Sequence, residues 1–357
     1  MKDGDAPPEA CGNVPKRIRL LCLLTVFFVL VFAGSCGKSA SQQEKEMHIV
    51  NSSSTTEKKN QIYLADPTVF ADGGSYYLYG TMDLDTSQGF LVYSSRDLEH
   101  WKPAGRAGDG FALKKGDSFG SMGFWAPQVF TYRGSCYMAY VANERIAIAK
   151  SDDGPLGPFR QKEHTALFRT DPRKNIDPFV FFDDDGTPYL YYVMEQGGNQ
   201  ICVAELNGNL DEVKNEKVCI QATLPWENTA QAEWPVAEGP AVAKIDGLYY
   251  LLYCANDFRS PDYAVGYAVS NSPVGPWRKQ EKPFLSRETV PALGTGHGDL
   301  FWDADRNLWY VFHTHFGPGQ PTPRKTALVK LLVTPGQGDP AGIAADPKSF
   351  RYLQQDS

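Results

Sequence analysis

Residues 177–192 open with Asp177-Pro178-Phe179-Val180-Phe181-Phe182, pass through Asp183, Asp184, Asp185, Gly186 and Thr187, and close with Pro188-Tyr189-Leu190-Tyr191-Tyr192. Two short apolar runs, aromatic and β-branched, around an Asp/Gly turn read as a β-hairpin. The same pattern restarts four more times. Asp66-Pro67-Thr68-Val69-Phe70 leads to Tyr76–Tyr79, and Ala126-Pro127-Gln128-Val129-Phe130 leads to Tyr137–Tyr140. Glu238-Gly239-Pro240-Ala241-Val242 leads to Leu248–Tyr253, and His297-Gly298-Asp299-Leu300-Phe301-Trp302 leads to Leu308–Phe312. The five starts are 60, 51, 61 and 59 residues apart.

A second element lies between the restarts. Val92–Trp101, Ala149–Phe159 and Ala268–Trp277 each read as a strand followed by a turn. Every repeat therefore holds three or four strands, and no stretch sustains a helical period. Five such units predict an all-β, single-domain, five-bladed β-propeller over residues 61–357, because a blade buries its faces only against other blades around an axis. A β-sandwich, the alternative all-β architecture, has no reason to restart one motif five times.

In a propeller the residue that opens each innermost strand sits at one rim of the central channel. Those positions hold Asp66, Ala126, Asp177, Glu238 and His297, so three of five are carboxyl groups. Turn chemistry explains an Asp before Pro, once or twice. It does not explain Glu238. Converging carboxyls repel and raise one another's pKa, which a purely structural design avoids. Glycosidic bond hydrolysis needs such a set: one carboxyl protonated, to donate to the leaving oxygen, and another ionised, to activate water or to attack the sugar.

Ala65-Asp66-Pro67, Trp125-Ala126-Pro127, Ile176-Asp177-Pro178, Glu238-Gly239-Pro240 and Gly296-His297-Gly298, in this order, resemble the motif set of glycoside hydrolase family 43. The resemblance implies an inverting mechanism with Asp66 as general base, Glu238 as general acid and Asp177 as the residue that tunes and orients the acid. It also implies that Trp125 lines the sugar pocket and that Arg324 binds a sugar hydroxyl. His297 becomes a channel histidine that holds a water or a structural calcium ion on the axis; the reaction itself requires no cofactor. Blade packing for Trp125 and a solvated surface place for Arg324 are the plain alternatives. His313 and His315 read as strand core, and Glu233 as a neighbour of the acid. The expected activity is exo-acting release of terminal α-L-arabinofuranose from plant-type polysaccharide. A β-xylosidase or exo-β-galactosidase is the alternative within the family, and a non-catalytic glycan-binding propeller the alternative outside it. A phosphorylase would want a basic pocket, for which only Arg324 and Lys325 present themselves.

Bulk composition agrees. The 357 residues are 42% hydrophobic and 22% charged with a net charge of −7, so no basic footprint for nucleic acid exists. Aromatic residues make up 13%, which suits both strands and sugar clefts. Lys16, Arg17 and Arg19 precede an apolar run from Leu20 to Ala33, and Ala33-Gly34-Ser35-Cys36 follows. This reads as a lipoprotein signal over residues 1–36 with Cys36 as the lipidated residue. The 14-residue run falls short of the ~20 that span a bilayer. Polar residues 37–60 read as a flexible tether. The expected location is that of an exported bacterial lipoprotein, periplasmic or attached to the outer membrane, with the membrane contacted through the lipid. Cys136, Cys202, Cys219 and Cys254 lack zinc-type spacing; Cys202 and Cys219 read as a disulfide pair or as buried strand residues.

Overall fold

A computed structural model describes residues 60–169, 171–334 and 340–356. The expected signal segment with Cys36, and all but the last residue of the expected tether, lie outside the described residues. The five restarts become the five innermost strands of a propeller: Ala65–Asp72, Trp125–Tyr132, Asn175–Phe182, Ala237–Ile245 and Gly296–Trp302. Each touches the inner strand of the next blade, and the fifth touches the first, so the ring is closed. Each pairs antiparallel with the strand that follows it across a tight turn. At the turn after Asp183, the Asp183 and Thr187 backbones bond at 3.0 Å and Gly186 adopts a φ of 84°. Blades three, four and five have four strands, and blade two has three. The only helical element named among the described residues is the 3-10 turn Pro225–Asn228.

Tyrosines on the second strands glue blade to blade. Tyr79 and Tyr191 occupy the same place in blades one and three, opposite Thr68 and Phe179. Both are fully buried, and each hydroxyl donates to a backbone carbonyl in the turn of the next blade, at Pro155 and Pro273. A large apolar ring with a satisfied polar tip is what a dry interface between sheets requires. Tyr140, Tyr192, Tyr250, Tyr253 and Tyr310 are equally buried. The aromatic excess is therefore chiefly packing, and only a small part of it faces the channel. The cysteines pack as well: Cys136, Cys202, Cys219 and Cys254 are all free thiols, and Cys202 lies across from Val218, so the 202–219 disulfide does not form.

Closure of the ring ties the segment that enters blade one, Ile62–Leu64, to blade five and to Leu353–Gln355. Gln354–Gln355 pairs in parallel with His100–Pro103, the outer strand of blade one. The Ile62 N–H donates to the Leu353 carbonyl at 3.0 Å, and Thr326 in blade five donates its N–H to Ile62 at 3.1 Å. The Thr326 hydroxyl takes the Leu64 N–H at 3.0 Å and donates to the Leu64 carbonyl at 2.8 Å, with both residues buried.

Thr326→Val keeps the shape and removes both of these bonds. Leaving two buried backbone groups unpaired should cost about 2–4 kcal/mol, read as a lowered urea midpoint. A midpoint unchanged from the parent would show that the ring is not closed here.

Candidate active site

The entry to each inner strand makes the site. Asp66, Ala126, Asp177, Gly239 and His297 have φ of 48°, 44°, 54°, 59° and 40°, all left-handed. In every blade the pairing register slips directly after this residue. For a non-glycine residue this conformation costs roughly 1–2 kcal/mol, and four blades bear it. The step also corrects one detail of the sequence reading. Glu238 is not the equivalent of Asp66 and Asp177; Gly239 is. Glu238 stands one residue earlier, across from Cys254, as Ala65 stands across from Thr81 and Trp125 across from Val141. Gly239 is sterically needed as well, since a Cβ there would lie 2.9 Å from the His297 ring.

A pocket of about 510 Å³ opens over these steps. Asp66, Asp177, Glu238, His297, Trp125 and Arg324 all line it, so the residues expected to act on or bind the sugar are brought to one place. Trp125 does both things expected of it, facing the pocket and packing on the blade-two and blade-three core. Arg324 is buried rather than solvated. Its Nη1 donates to Asp66 Oδ1 at 2.9 Å, while its Nε and Nη2 hold Asp83 at 2.9 and 2.7 Å. Its guanidinium lies over the Phe258 ring at 4.6 Å. His313 is strand core, as read, whereas His315 is buried just past the end of that strand, which closes at Thr314. His313 nonetheless touches the site, with Nδ1 3.3 Å from Asp66 Oδ1, and His315 Nε2 lies 2.8 Å from the Phe258 carbonyl. Glu233 is exposed and does not line the pocket, whereas its neighbour Trp234 does.

The three carboxyls face opposite environments. Burial alone would raise Asp66, but the charges of Arg324 and then His297 overcome it and hold this carboxyl well below the usual range. The Thr81 hydroxyl adds a bond to Asp66 Oδ2 at 2.7 Å. Asp177 is pushed up to about 8 by burial and by the charge of Asp66; its one compensating donor is the Gly239 N–H at 3.2 Å. Glu238 is pushed up to about 7 by burial and by the charge of Asp177. A protonated Asp177 has no charge with which to raise Glu238. Both groups therefore lie high, and the pair retains a proton at neutral pH. His297 sits between the two kinds of carboxyl, with Nδ1 3.4 Å from Asp66 and 3.8 Å from Asp177.

Four functional groups escaped the sequence reading. Asp83 orients Arg324. Tyr263 donates to Glu238 Oε1 at 2.9 Å, and Asn199 donates to Glu238 Oε2 at 2.9 Å. Trp234 forms a wall of the pocket. Among the described residues no group of three or more His, Cys, Asp or Glu side chains has the geometry to hold a metal ion. Calcium takes six to eight oxygens, so the protein donors around His297 do not by themselves make a calcium site.

The chain matches the model of the family described as Glycosyl hydrolases family 43 over residues 60–336. It is similar to the solved structure of an endo-1,4-beta-xylanase from Bacteroides thetaiotaomicron, with a TM-score of 0.75 and 36% identity, covering 84% of this chain and 99% of that one. It is 24% identical to a beta-D-galactofuranosidase of Aspergillus niger over 75% of this chain and 79% of that protein. It is 26% identical to a xylosidase/arabinosidase of Butyrivibrio fibrisolvens over 77% of this chain and 56% of that protein, so it spans little more than half of the latter's length.

Gly239 and Gly247 both have positive φ, at 59° and 79°, but a Cβ at Gly247 meets nothing within 4 Å. Gly247→Ala should cost about 1–2 kcal/mol for its conformation alone. Gly239→Ala should cost at least ~1 kcal/mol more, for displacing His297. Equal urea midpoints for the two variants would show that the His297 contact carries no weight.

Proposed function

This chain belongs to glycosyl hydrolase family 43 and is a glycosidase acting on O-glycosyl bonds of polysaccharide, and from that premise we propose that it releases terminal α-L-arabinofuranosyl residues by an inverting acid–base mechanism. The observation that carries the mechanism is the opposite treatment of like groups. Asp66 takes a direct ion pair from Arg324 at 2.9 Å and stays ionised, while Asp177 and Glu238 are buried with no arginine or lysine bonded to them among the described residues, and the pair keeps a proton. Asp66 takes a proton from a water whose oxygen attacks the anomeric carbon. The glycosidic C–O bond breaks, and Glu238 gives its proton to the departing oxygen. Water thus adds across the bond and no charge is left over. A carboxylate held as low as Asp66 is a weak base, so its contribution is assured ionisation and orientation of the water more than basicity. Asp177 keeps the second proton site high and close to Glu238.

Exo action is supported by the form of the pocket. Its wall draws on all five blades, from Asp83 and Thr86 through Trp125, Asn199 and Trp234 to Arg324. Lining residues on all sides of the axis suit the capture of a chain end. Xylose as the glycone is the second reading, favoured by the xylanase likeness at 36% identity. Aryl-glycosides of arabinofuranose, xylose and galactose, offered to the purified protein, decide between the sugars; turnover of the xyloside alone would overturn the arabinofuranose assignment.

Asp66→Asn should lower kcat by about 100-fold or more and leave the fold intact. NMR of the first-formed product should show inverted anomeric configuration; retention would recast Asp66 as a nucleophile. With Asp66 ionised far into acid and the proton donor titrating near 7–8, kcat/KM should hold through mildly acidic pH and fall as pH rises through that range. An alkaline limb at the ordinary carboxylate pKa of ~4 would contradict the assignment of the donor.

We further propose that the protein is exported and held at the membrane by lipid on Cys36, on the strength of the basic, apolar and small-residue succession that ends there. Cys36→Ala should move the protein from the membrane fraction to the soluble fraction; a variant still sedimenting with membranes would refute lipidation at this residue.

A further inference from the structure

A proton donor needs an angle as well as a pKa. Glu238 is held by Tyr263 at Oε1 and by Asn199 at Oε2. Asn199 is itself held. The Trp234 indole N–H donates to Asn199 Oδ1 at 2.9 Å. Indole only donates, so the amide oxygen of Asn199 must face Trp234 and its NH₂ must face Glu238; the amide cannot flip while Trp234 is in place. The backbone repeats the tie, since the Asn199 N–H donates to the Pro235 carbonyl at 2.9 Å and Asn199 bridges in parallel to Val236. Gly198 makes this approach feasible, because a Cβ there would fall 2.7 Å from the Pro235 oxygen. Trp234 is 49% exposed and lines the pocket, although its polar edge is already spent on Asn199. What remains free is an apolar face beside the group that protonates the leaving oxygen.

We propose that Trp234 is the platform on which the leaving sugar packs, and that Asn199 is a positioning residue that couples this platform to the carboxyl of Glu238. The proposal rests on Glu238 being the proton donor. Leaving groups that reach Trp234 are pyranose or furanose rings presenting C–H faces, hence the next residue of a glycan chain. The groups that face Glu238 are Asp177, His297, Tyr263, Asn199 and Arg259, with the Cys254 thiol across from it in the strand pair. Of these, Asn199 and Tyr263 donate to the ionised carboxylate and so oppose the rise caused by burial and Asp177.

The test uses two substrates with one glycone, a dinitrophenyl glycoside whose leaving group needs little protonation and an oligosaccharide whose leaving group needs it fully. In Asn199→Ala, kcat/KM for the oligosaccharide should fall about tenfold more than for the aryl glycoside, and the alkaline limb should move to higher pH because a donor to the carboxylate is gone. Trp234→Phe keeps the platform and frees the amide to flip; it should shift the limb in the same direction with little change in KM. Trp234→Ala should raise KM for the oligosaccharide about tenfold more than for the aryl glycoside. Equal losses on both substrates with an unmoved limb in Asn199→Ala would reduce Asn199 to a brace and overturn the coupling. An unchanged KM ratio in Trp234→Ala would overturn the platform. Glu238→Gln separates these failures from failure of the acid assignment. If Glu238→Gln itself loses equally on both substrates and keeps its alkaline limb, the donor is another group and the premise falls; if it spares the aryl glycoside, the premise stands whatever Asn199 does.

Discussion

Everything in the site depends on one backbone step, the left-handed residue and slipped register with which each inner strand begins. In a regular strand neighbouring side chains point to opposite faces, so only alternate residues could reach the axis. The step breaks that alternation. Two successive positions then serve the pocket: Trp125, Ile176 and Glu238 from the position before the step, Asp66, Asp177 and His297 from the step itself. Five short strands thereby supply more axial groups than five strands would otherwise afford. The strain is repaid by the closed ring, in which each step is packed between two neighbours and cannot relax without opening a blade interface.

The second constraint is electrostatic. Asp66 and Asp177 are the same residue type at the same backbone place, both buried, with φ within a few degrees. What separates them is who stands beside them. Asp66 receives Arg324 from blade five, itself clamped by Asp83, together with the Thr81 hydroxyl. Asp177 receives a single backbone N–H. A five-fold scaffold cannot make this difference by symmetry; it arises from one arginine on one side of the axis. Asp66 on blade one and Glu238 on blade four are not in adjacent blades, with His297 of blade five between them, whereas Asp177 is in the blade next to Glu238. In the proposed reaction, water activation and protonation of the leaving group therefore fall on different sides of the sugar.

The fold was legible because its signal is a repeat: five hairpins that restart on one motif leave little else to build. The carboxyls were legible for the same reason, as deviations at a repeated position. Their exact alignment was not, because Glu-Gly-Pro and Asp-Pro place the acid and the proline at different offsets, and only the backbone shows that Gly239, not Glu238, takes the left-handed place. Asp83, Asn199 and Tyr263 were out of reach. Each occurs once, off the repeat, and acts on a residue far away in the chain. Trp234 left a faint trace, an aromatic in a polar loop with no strand alternation to absorb it, but the carboxyl of Glu233 beside it is the more usual mark of a site. Aromatic content misled in the other direction, since the buried tyrosines spend most of it between blades.

Ala126 shows how far the step governs function even without a side chain to offer. It bears left-handed strain, yet its methyl group does no chemistry. Its N–H, however, donates to the Thr81 hydroxyl at 2.9 Å. An oxygen that accepts there has its own proton free, and Thr81 gives it to Asp66. The pattern recurs from blade to blade. Thr81, Cys254 and His313 hold the same place on the second strands of blades one, four and five, opposite Ala65, Glu238 and Gly296. Each takes the N–H of the left-handed residue of the following blade, from Ala126, His297 and Asp66 respectively. Blades two and three carry Val141 and Val193 at that place. Lacking a polar partner on Val193, the Gly239 N–H of blade four turns to Asp177 instead. That is the one donor Asp177 has, and it comes from the residue joined to Glu238. The acid and the carboxyl that tunes it are thus fixed relative to each other by the backbone, because the apolar side chain of Val193 leaves the Gly239 amide without the acceptor that Ala126, His297 and Asp66 have.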